Sequence, residues 1–354
     1  MNDAFTDLRI DHIEFFVADV ELAAAPFRDG YGFSVYAGTG GPQTTVRTLA
    51  LGRDNIRLVL TAAPDGDHAA AAYVEQHGDG VSVIALGTVD AEVAFAEAVR
   101  RGADAVAAPA TVDGVTVATI RGFGDILHTF VQRAPGADPR SLPGLVLRRP
   151  SPARFDSGLT AIDHIAVCLE PGTLTPTVDF YTDVLDFEVI FQERILVGRQ
   201  AMDSKVVQSR SGDVTLTLIE PDTSMEQGQI DTFLKNHGGP GVQHLAFNTD
   251  DVLTSVSRMH EHGVEFLRTP GAYYGKLPQR IKHSRHPIPA LREWNVLVDQ
   301  DHDGHLFQIF MKSVHPRGTI FMEVIERMGA RSFGSGNIKA LYEAVELEMS
   351  RQNL

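Results

Sequence analysis

Three residues in the second half of the chain could hold one metal ion between them. His164 lies in IDHIAVCL, His244 in GVQHLAFN and Glu323 in TIFMEVIER. Each stretch is apolar with a period of two, so each reads as a strand whose successive side chains face opposite ways. His164 then shares a face with Ile162, Ala166 and Cys168, His244 with Val242 and Ala246, and Glu323 with Phe321 and Ile325. An unpaired imidazole on such a face is costly, and a charged carboxylate without a counter-ion costs still more. The separations of 80 positions from His164 to His244 and 79 from His244 to Glu323 assign them to three separate strands. Two imidazoles and one carboxylate on one side of a metal leave its other positions open, the facial arrangement of non-haem Fe(II) oxygenases.

The remaining chemistry-bearing residues read more plainly. Gln308 is the polar exception on a face with Leu306 and Phe310, so a buried amide in need of partners is expected. Gln243 precedes His244 and by alternation points away from it. His12 reads as a core residue, His77 and His237 before glycines as cap or turn residues, and His283 and His286 as solvated loop residues.

The elements that must position these groups come from a repeat. RIDHIEFFV (9–17) matches AIDHIAVCL (161–169), and HGDGVSVIAL matches HGGPGVQHLAF with Val83 standing in the place of His244. GDILHTFVQ (124–132) answers GHLFQIFMK (304–312), which pairs His128 with Gln308 and leaves Glu323 without a counterpart. Within each half a unit of strand, helix and three strands occurs twice, so the fold class is α+β with curved, partly closed sheets. Residues 1–135 form the first domain, a scaffold without metal; the Pro-, Arg- and Gly-rich stretch 136–158 is a linker; residues 159–354 form the catalytic domain. The tail GSGNIKALYEAVELEMSRQ reads as an amphipathic helix laid on that domain as a lid.

Bulk properties narrow the partners. A net charge of -15 opposes binding to nucleic acid or anionic membrane, and no apolar run is long enough to cross a bilayer. Cys168 is the single cysteine, so no intrachain disulfide exists. With no secretory signal at the start, a cytoplasmic protein acting on a small molecule is expected.

The stretches IDHIAV, QIDTFLKNHGGPGVQHLAFNT, FLRTPGAYY, VLVDQDHDGHLFQIF, TIFMEVIER and SFGSGNIKALYEAVE, in this order, resemble the 4-hydroxyphenylpyruvate dioxygenase family of the vicinal-oxygen-chelate fold. The resemblance implies two tandem domains of paired βαβββ modules forming half-open β-barrels, with Fe(II) held by His164, His244 and Glu323. It implies 4-hydroxyphenylpyruvate and O2 as substrates and substrate contacts at Ser204, Thr217, Ile219, Gln308, Phe310, Phe321, Asn337 and Ile338; a homodimer is expected.

One metal site serves two reactions in this family, ring oxidation to homogentisate and benzylic hydroxylation to 4-hydroxymandelate, so the ligands do not choose between them. Two departures bear on the choice. The family's usual Pro-Ile-Asn-Glu-Pro reads Thr217, Leu218, Ile219, Glu220, Pro221 here, and the usual Gly-Asn-Phe-Lys reads Gly336, Asn337, Ile338, Lys339. Loss of an aromatic ring at a lid opens space for the substrate ring to swing. Both departures resemble the hydroxymandelate-forming branch, and the expected reaction is 4-hydroxyphenylpyruvate and O2 to 4-hydroxymandelate and CO2. The alternatives are homogentisate formation and, in a different class, a non-catalytic small-molecule-binding protein of the same fold.

Overall fold

A computed structural model describes residues 4–39, 45–63, 68–281, 284–334, 336, 337 and 339. The expected lid helix lies almost entirely outside these residues, as does Ile338.

The first half runs β1 (Arg9–Phe16), α1 (Val20–Asp29), β2 (Ser34–Gly38), β3 (Arg47–Arg53) and β4 (Ile56–Ala62). It continues through α2 (Ala69–His77), β5 (Gly80–Gly87), α3 (Ala91–Arg100), β6 (Ala105–Val112), β7 (Val115–Arg121) and β8 (Leu127–Arg133). These strands form one sheet in the order β6-β7-β8-β5-β1-β4-β3-β2, extended at its edge by β9 (Val146–Leu147) from within the stretch read as linker.

In the second half β10 (Leu159–Cys168) leads into α4 (Leu174–Asp179), a π-helical turn over Phe180–Val184, and then β11 (Glu188–Val197), β12 (Gln200–Gln208) and β13 (Thr215–Pro221). After α5 (Gln229–His237) come β14 (Gly241–Thr249), α6 (Val252–Glu261), α7 (Gly271–Arg280) and α8 (Ile288–Glu293). The half closes with β15 (Leu297–Gln300), β16 (His305–Phe310) and β17 (Phe321–Met328), giving the order β11-β12-β13-β10-β14-β17-β16-β15. Phe266 and Met311 form an isolated bridge, and the loop that carries His286 lies between α7 and α8. Three helices that follow strands start at an aspartate whose carboxylate accepts a backbone N–H: Asp19 from Glu21, Asp90 from Val93 and Asp251 from Thr254.

The two strand orders superpose one on the other, with β1 taking the place of β10, β5 of β14 and β8 of β17. The match of GDILHTFVQ to GHLFQIFMK is therefore corrected, because β8 is the counterpart of β17 and not of β16. Ile84 pairs with His128 as Leu245 pairs with Met322, and Ala85 pairs with Thr129 as Ala246 pairs with Glu323. Thr129 is thus the counterpart of Glu323, and by the next pairing Val117 is that of Gln308. Adjacent strands with the same alternation look alike in sequence; only the ladder separates them.

The register also carries two β-bulges, repeated in both halves. Asp11 and Asp163 are skipped between paired neighbours on β1 and β10, as are Ser82 and Gln243 on β5 and β14. A bulge adds one residue and reverses the facing of what lies beyond it. Ile162 and Val242 consequently pack into the large core on the helix-bearing face, not beside His164 and His244 as simple alternation requires.

That core is continuous through both halves, joining Ile13, Phe15 and Leu58 to Ile165, Val167 and Leu245. Across the same boundary the His77 and His237 rings stack at 4.3 Å, and Phe247 meets Phe33 at 5.8 Å. His77 and His237 do end helices, but both are buried. His128 joins the halves too: its Nε2 lies 2.8 Å from the Tyr181 hydroxyl, which the π-helical turn presents, and its Nδ1 lies 3.3 Å from Ile84 O.

Burial pushes the His128 pKa down to about 4. An unfolded chain takes up this proton below its ordinary value near 6.5, while the folded chain resists it, so this contribution is present above that value and is lost as pH falls toward 4. Urea unfolding at pH 7 and pH 5 should show His128→Asn losing about 2 kcal/mol less stability between the two than the unsubstituted protein. Equal losses would remove His128 from the acid response.

Candidate metal centre and its cavity

The two bulges set the local geometry of both histidines. Asp163, skipped by the ladder, turns its carboxylate to His164 Nδ1 at 2.8 Å. Gln243, skipped in the same way, brings Oε1 to 3.3 Å from His244 Nδ1 and lines the cavity beside it, against the expectation that it points away. With Nδ1 facing an acceptor in each ring, each Nε2 is the lone-pair nitrogen. Both of these lie near a single oxygen, Glu323 Oε2, at 3.5 Å from His164 and 3.3 Å from His244.

All three side chains are buried, with exposures of 3%, 7% and 1% for His164, His244 and Glu323. Burial lowers the His244 pKa and favours its neutral form, although Glu323 pulls the other way. Three groups able to act as electron-pair donors therefore converge within 4.8 Å. Lone pairs so disposed repel unless a cation lies between them, and this donor set fits a divalent transition metal. Glu323 Oε1 is already taken by Gln308 Nε2 at 2.8 Å, which leaves Oε2 as the free oxygen.

Asp163 supports the same arrangement from behind. Burial alone would raise its pKa, but hydrogen bonds from His164 and Arg327 hold it well below the usual carboxylate range. Arg327 grips it with Nε and Nη2 at 2.7 and 2.9 Å.

The donors border a narrow cavity of about 40 Å3. Of the expected substrate contacts, Ser204, Thr217, Ile219, Gln308 and Phe310 line it. Thr217 and Ile219 sit side by side on β13, paired with Val206 and Ser204 of β12. Thr217 Oγ1 also reaches Ile165 O at 3.4 Å, while Ser204 Oγ makes no hydrogen bond among the described residues. Phe321 is set differently, stacked on the His244 ring at 4.9 Å behind the cavity wall. Phe191, Glu193, Ile195, Val206 and Phe333 complete the lining and were not singled out from sequence. Phe333 stands in SFGSG, just before the stretch read as the terminal helix.

Asn337 does not line the cavity. It is fully buried and donates from Nδ2 to Gln308 Oε1 at 2.8 Å, while its Oδ1 lies 2.9 Å from the Tyr273 hydroxyl. Gln308 thus links Glu323 to the start of the terminal segment, and Gly334 is required there, since a Cβ would come within 2.4 Å of Gln308 Oε1 at a φ of +70°.

Two other features lie outside this centre. Asp251, His286 and Glu326 also cluster, but the Glu326 oxygens are occupied by Val252 N, His286 Nε2 and Arg285 Nη1 at 2.9, 2.8 and 2.7 Å. His286 is therefore a buried anchor for its loop, where the sequence suggested a solvated residue. A wider, open cleft lined by Tyr36, Arg57, Arg140 and Phe155 contains no histidine or cysteine.

Comparison with known proteins agrees with this geometry. Residues 12–142 match the model described as hydroxyphenylpyruvate dioxygenase, N-terminal, and residues 161–309 match the glyoxalase/bleomycin resistance protein/dioxygenase superfamily. A 4-hydroxyphenylpyruvate dioxygenase of Dictyostelium discoideum is 32% identical, over 97% of this chain and 99% of its own. The chain belongs to the 4-hydroxyphenylpyruvate dioxygenase family. Within it, the enzyme of that name from Danio rerio is 32% identical over 98% of this chain and 92% of its own. A solved structure of a triple mutant of 4-hydroxymandelate synthase from Streptomyces coelicolor has a TM-score of 0.86 at 43% identity, covering 97% of this chain and 99% of its own. The two tandem sheets are those of the vicinal-oxygen-chelate fold. Among the described residues no helix is long and apolar enough to cross a membrane.

Gln308→Leu should strand Glu323 Oε1 and Asn337 Nδ2 in a buried site, costing about 2–4 kcal/mol in denaturant unfolding of the metal-free protein. A change below about 0.5 kcal/mol would mean that the chain of hydrogen bonds carries no stability.

Proposed function

We propose that this family member is an Fe(II) enzyme that converts 4-hydroxyphenylpyruvate and O2 to 4-hydroxymandelate and CO2. The observation that carries the metal reading is the convergence of His164 Nε2, His244 Nε2 and Glu323 Oε2 at the wall of a cavity. His164, His244 and Glu323 would hold Fe(II), and the chemistry it would supply is oxidative decarboxylation of the 2-keto acid by O2, with CO2 lost, one oxygen ending in the new carboxylate and the other on the benzylic carbon. Residues 1–135 act as a scaffold joined through 136–158 to the catalytic part, 159–354.

The chain's own residues then have separable tasks. Asp163 and Gln243 keep the protons on the Nδ1 atoms, so both rings face inward as electron-pair donors. Phe191, Phe310 and Phe333 exclude water from the cavity, and Gln308 with Asn337 holds the terminal segment beside it. Ser204 Oγ, free of other partners, receives the substrate phenol at the end of the cavity near Ile219.

The choice of product rests on the cavity floor. Ile219 offers a branched hydrocarbon next to Ser204 where homogentisate-forming relatives are expected to carry an amide, so the phenol has fewer groups to fix the ring. A less tightly held ring can turn its benzylic carbon to the oxidant. The 43% identity to the 4-hydroxymandelate synthase supports the same choice. Homogentisate formation is the second reading, favoured by the names of the 32% identical relatives.

The two products are isomers, so chromatography against standards, not mass alone, decides between them. Purified protein loaded with Fe(II) is expected to yield mainly 4-hydroxymandelate, and homogentisate as the main product would overturn the choice. Ile219→Asn combined with Ile338→Phe should move the product ratio toward homogentisate. An unchanged ratio would take both positions out of the account.

A further inference from the structure

We propose that Arg327 is a positioning residue that sets the orientation of His164 and the cavity wall together, so that metal affinity depends on a side chain that touches neither metal nor substrate. The proposal rests on the Fe(II) reading above and deepens it. Arg327 makes three kinds of contact at once. It donates to both Asp163 oxygens at 2.7 and 2.9 Å, and Asp163 in turn accepts from His164 Nδ1 at 2.8 Å. It donates from Nη1 to the carbonyls of Ala330 and Ser332 at 3.2 and 2.8 Å. Its guanidinium also lies over the Phe333 ring at 4.9 Å, and that ring meets His164 edge-on at 5.3 Å.

These contacts form a closed circuit from Arg327 through Asp163 to His164, and through Phe333 back to the same imidazole. Without the guanidinium, a carboxylate whose side chain is only 8% exposed would keep one partner, His164, and would lose the charge that keeps it ionised. Its hold on the Nδ1 proton would loosen, and with it the aim of Nε2. The segment that carries Phe333 into the cavity would lose two carbonyl anchors in the same step. A lysine could restore the charge but not the planar fork that meets two carboxylate oxygens and two carbonyls.

The first half supplies a control within the molecule. Arg133, the counterpart of Arg327 four residues beyond Thr129, grips both oxygens of Asp11, bonds Ser141 O at 3.0 Å, and Asp11 meets His12 Nδ1 at 2.7 Å. There Val83 and Thr129 replace the other two donors. The clamp at Arg133 is therefore structural alone, which allows the structural share of Arg327 to be measured separately.

The test is an anaerobic Fe(II) titration of the full chain, with the visible spectrum of bound Co(II) and the thermal midpoint of the metal-free protein read in parallel. Arg327→Gln and Arg133→Gln should lower the midpoint comparably. Only Arg327→Gln should weaken Fe(II) binding, by about 10- to 100-fold, and alter the Co(II) spectrum, with Arg327→Lys recovering part of the loss. If Arg327→Gln does not fold, the pair Arg327→Lys and Arg133→Lys is read by the same comparison. Fe(II) binding by the Arg327 variant that matches its Arg133 partner would overturn the proposal while leaving the Fe(II) reading intact. Absence of Fe(II) binding by the unsubstituted protein would overturn both.

Discussion

A carboxylate at 1% exposure, facing two imidazoles that present lone pairs, is the constraint on which the second half depends. A regular strand would turn Asp163 and Gln243 away from the histidines they precede. The two bulges remove that restriction, and each skipped residue reaches back to the Nδ1 of the ring that follows it. The cost is an interruption of the β10–β14 ladder at each bulge, which the fold tolerates because both strands are central and paired on their other sides, β10 with β13 and β14 with β17.

The first half keeps the bulges and the Arg–Asp–His clamp, but Val83 and Thr129 stand in the places of His244 and Glu323, and Val117 in that of Gln308. Val83 and Val117 pack with Ala85, Val115, Val131 and Leu127 in an apolar cluster. Among the described residues that sheet brings no three metal-binding side chains together, and its helix-bearing face completes the core shared with the second half. Duplication separated two tasks that one barrel would otherwise carry: bracing the core and exposing polar donors to a cavity.

Much of this was legible in the sequence because it depends on residue type and period. The three donors stood out as polar residues in apolar strands, and Ser204, Thr217, Ile219, Gln308 and Phe310 followed from strand faces and family resemblance. What was misread depends on register. Alternation counts residues and has no means of seeing a skipped one, so Gln243 was turned outward and Ile162 and Val242 were turned inward. The counterpart of β8 was missed because neighbouring strands share a pattern, and α7 was hidden by the glycines and prolines of PGAYYGKLPQR. His286 looked solvated because its partner Glu326 is 40 positions away.

The central claim is that one cation binds per chain, through His164, His244 and Glu323, and that the parallel place in the first half takes none. The direct measurement is a crystal structure of anaerobically Fe(II)-loaded protein with anomalous scattering collected at the iron edge. One peak is expected per chain, with both His Nε2 atoms and one Glu323 oxygen at about 2.0–2.2 Å. A peak beside His12, or iron held in the second half without Glu323, would contradict the account.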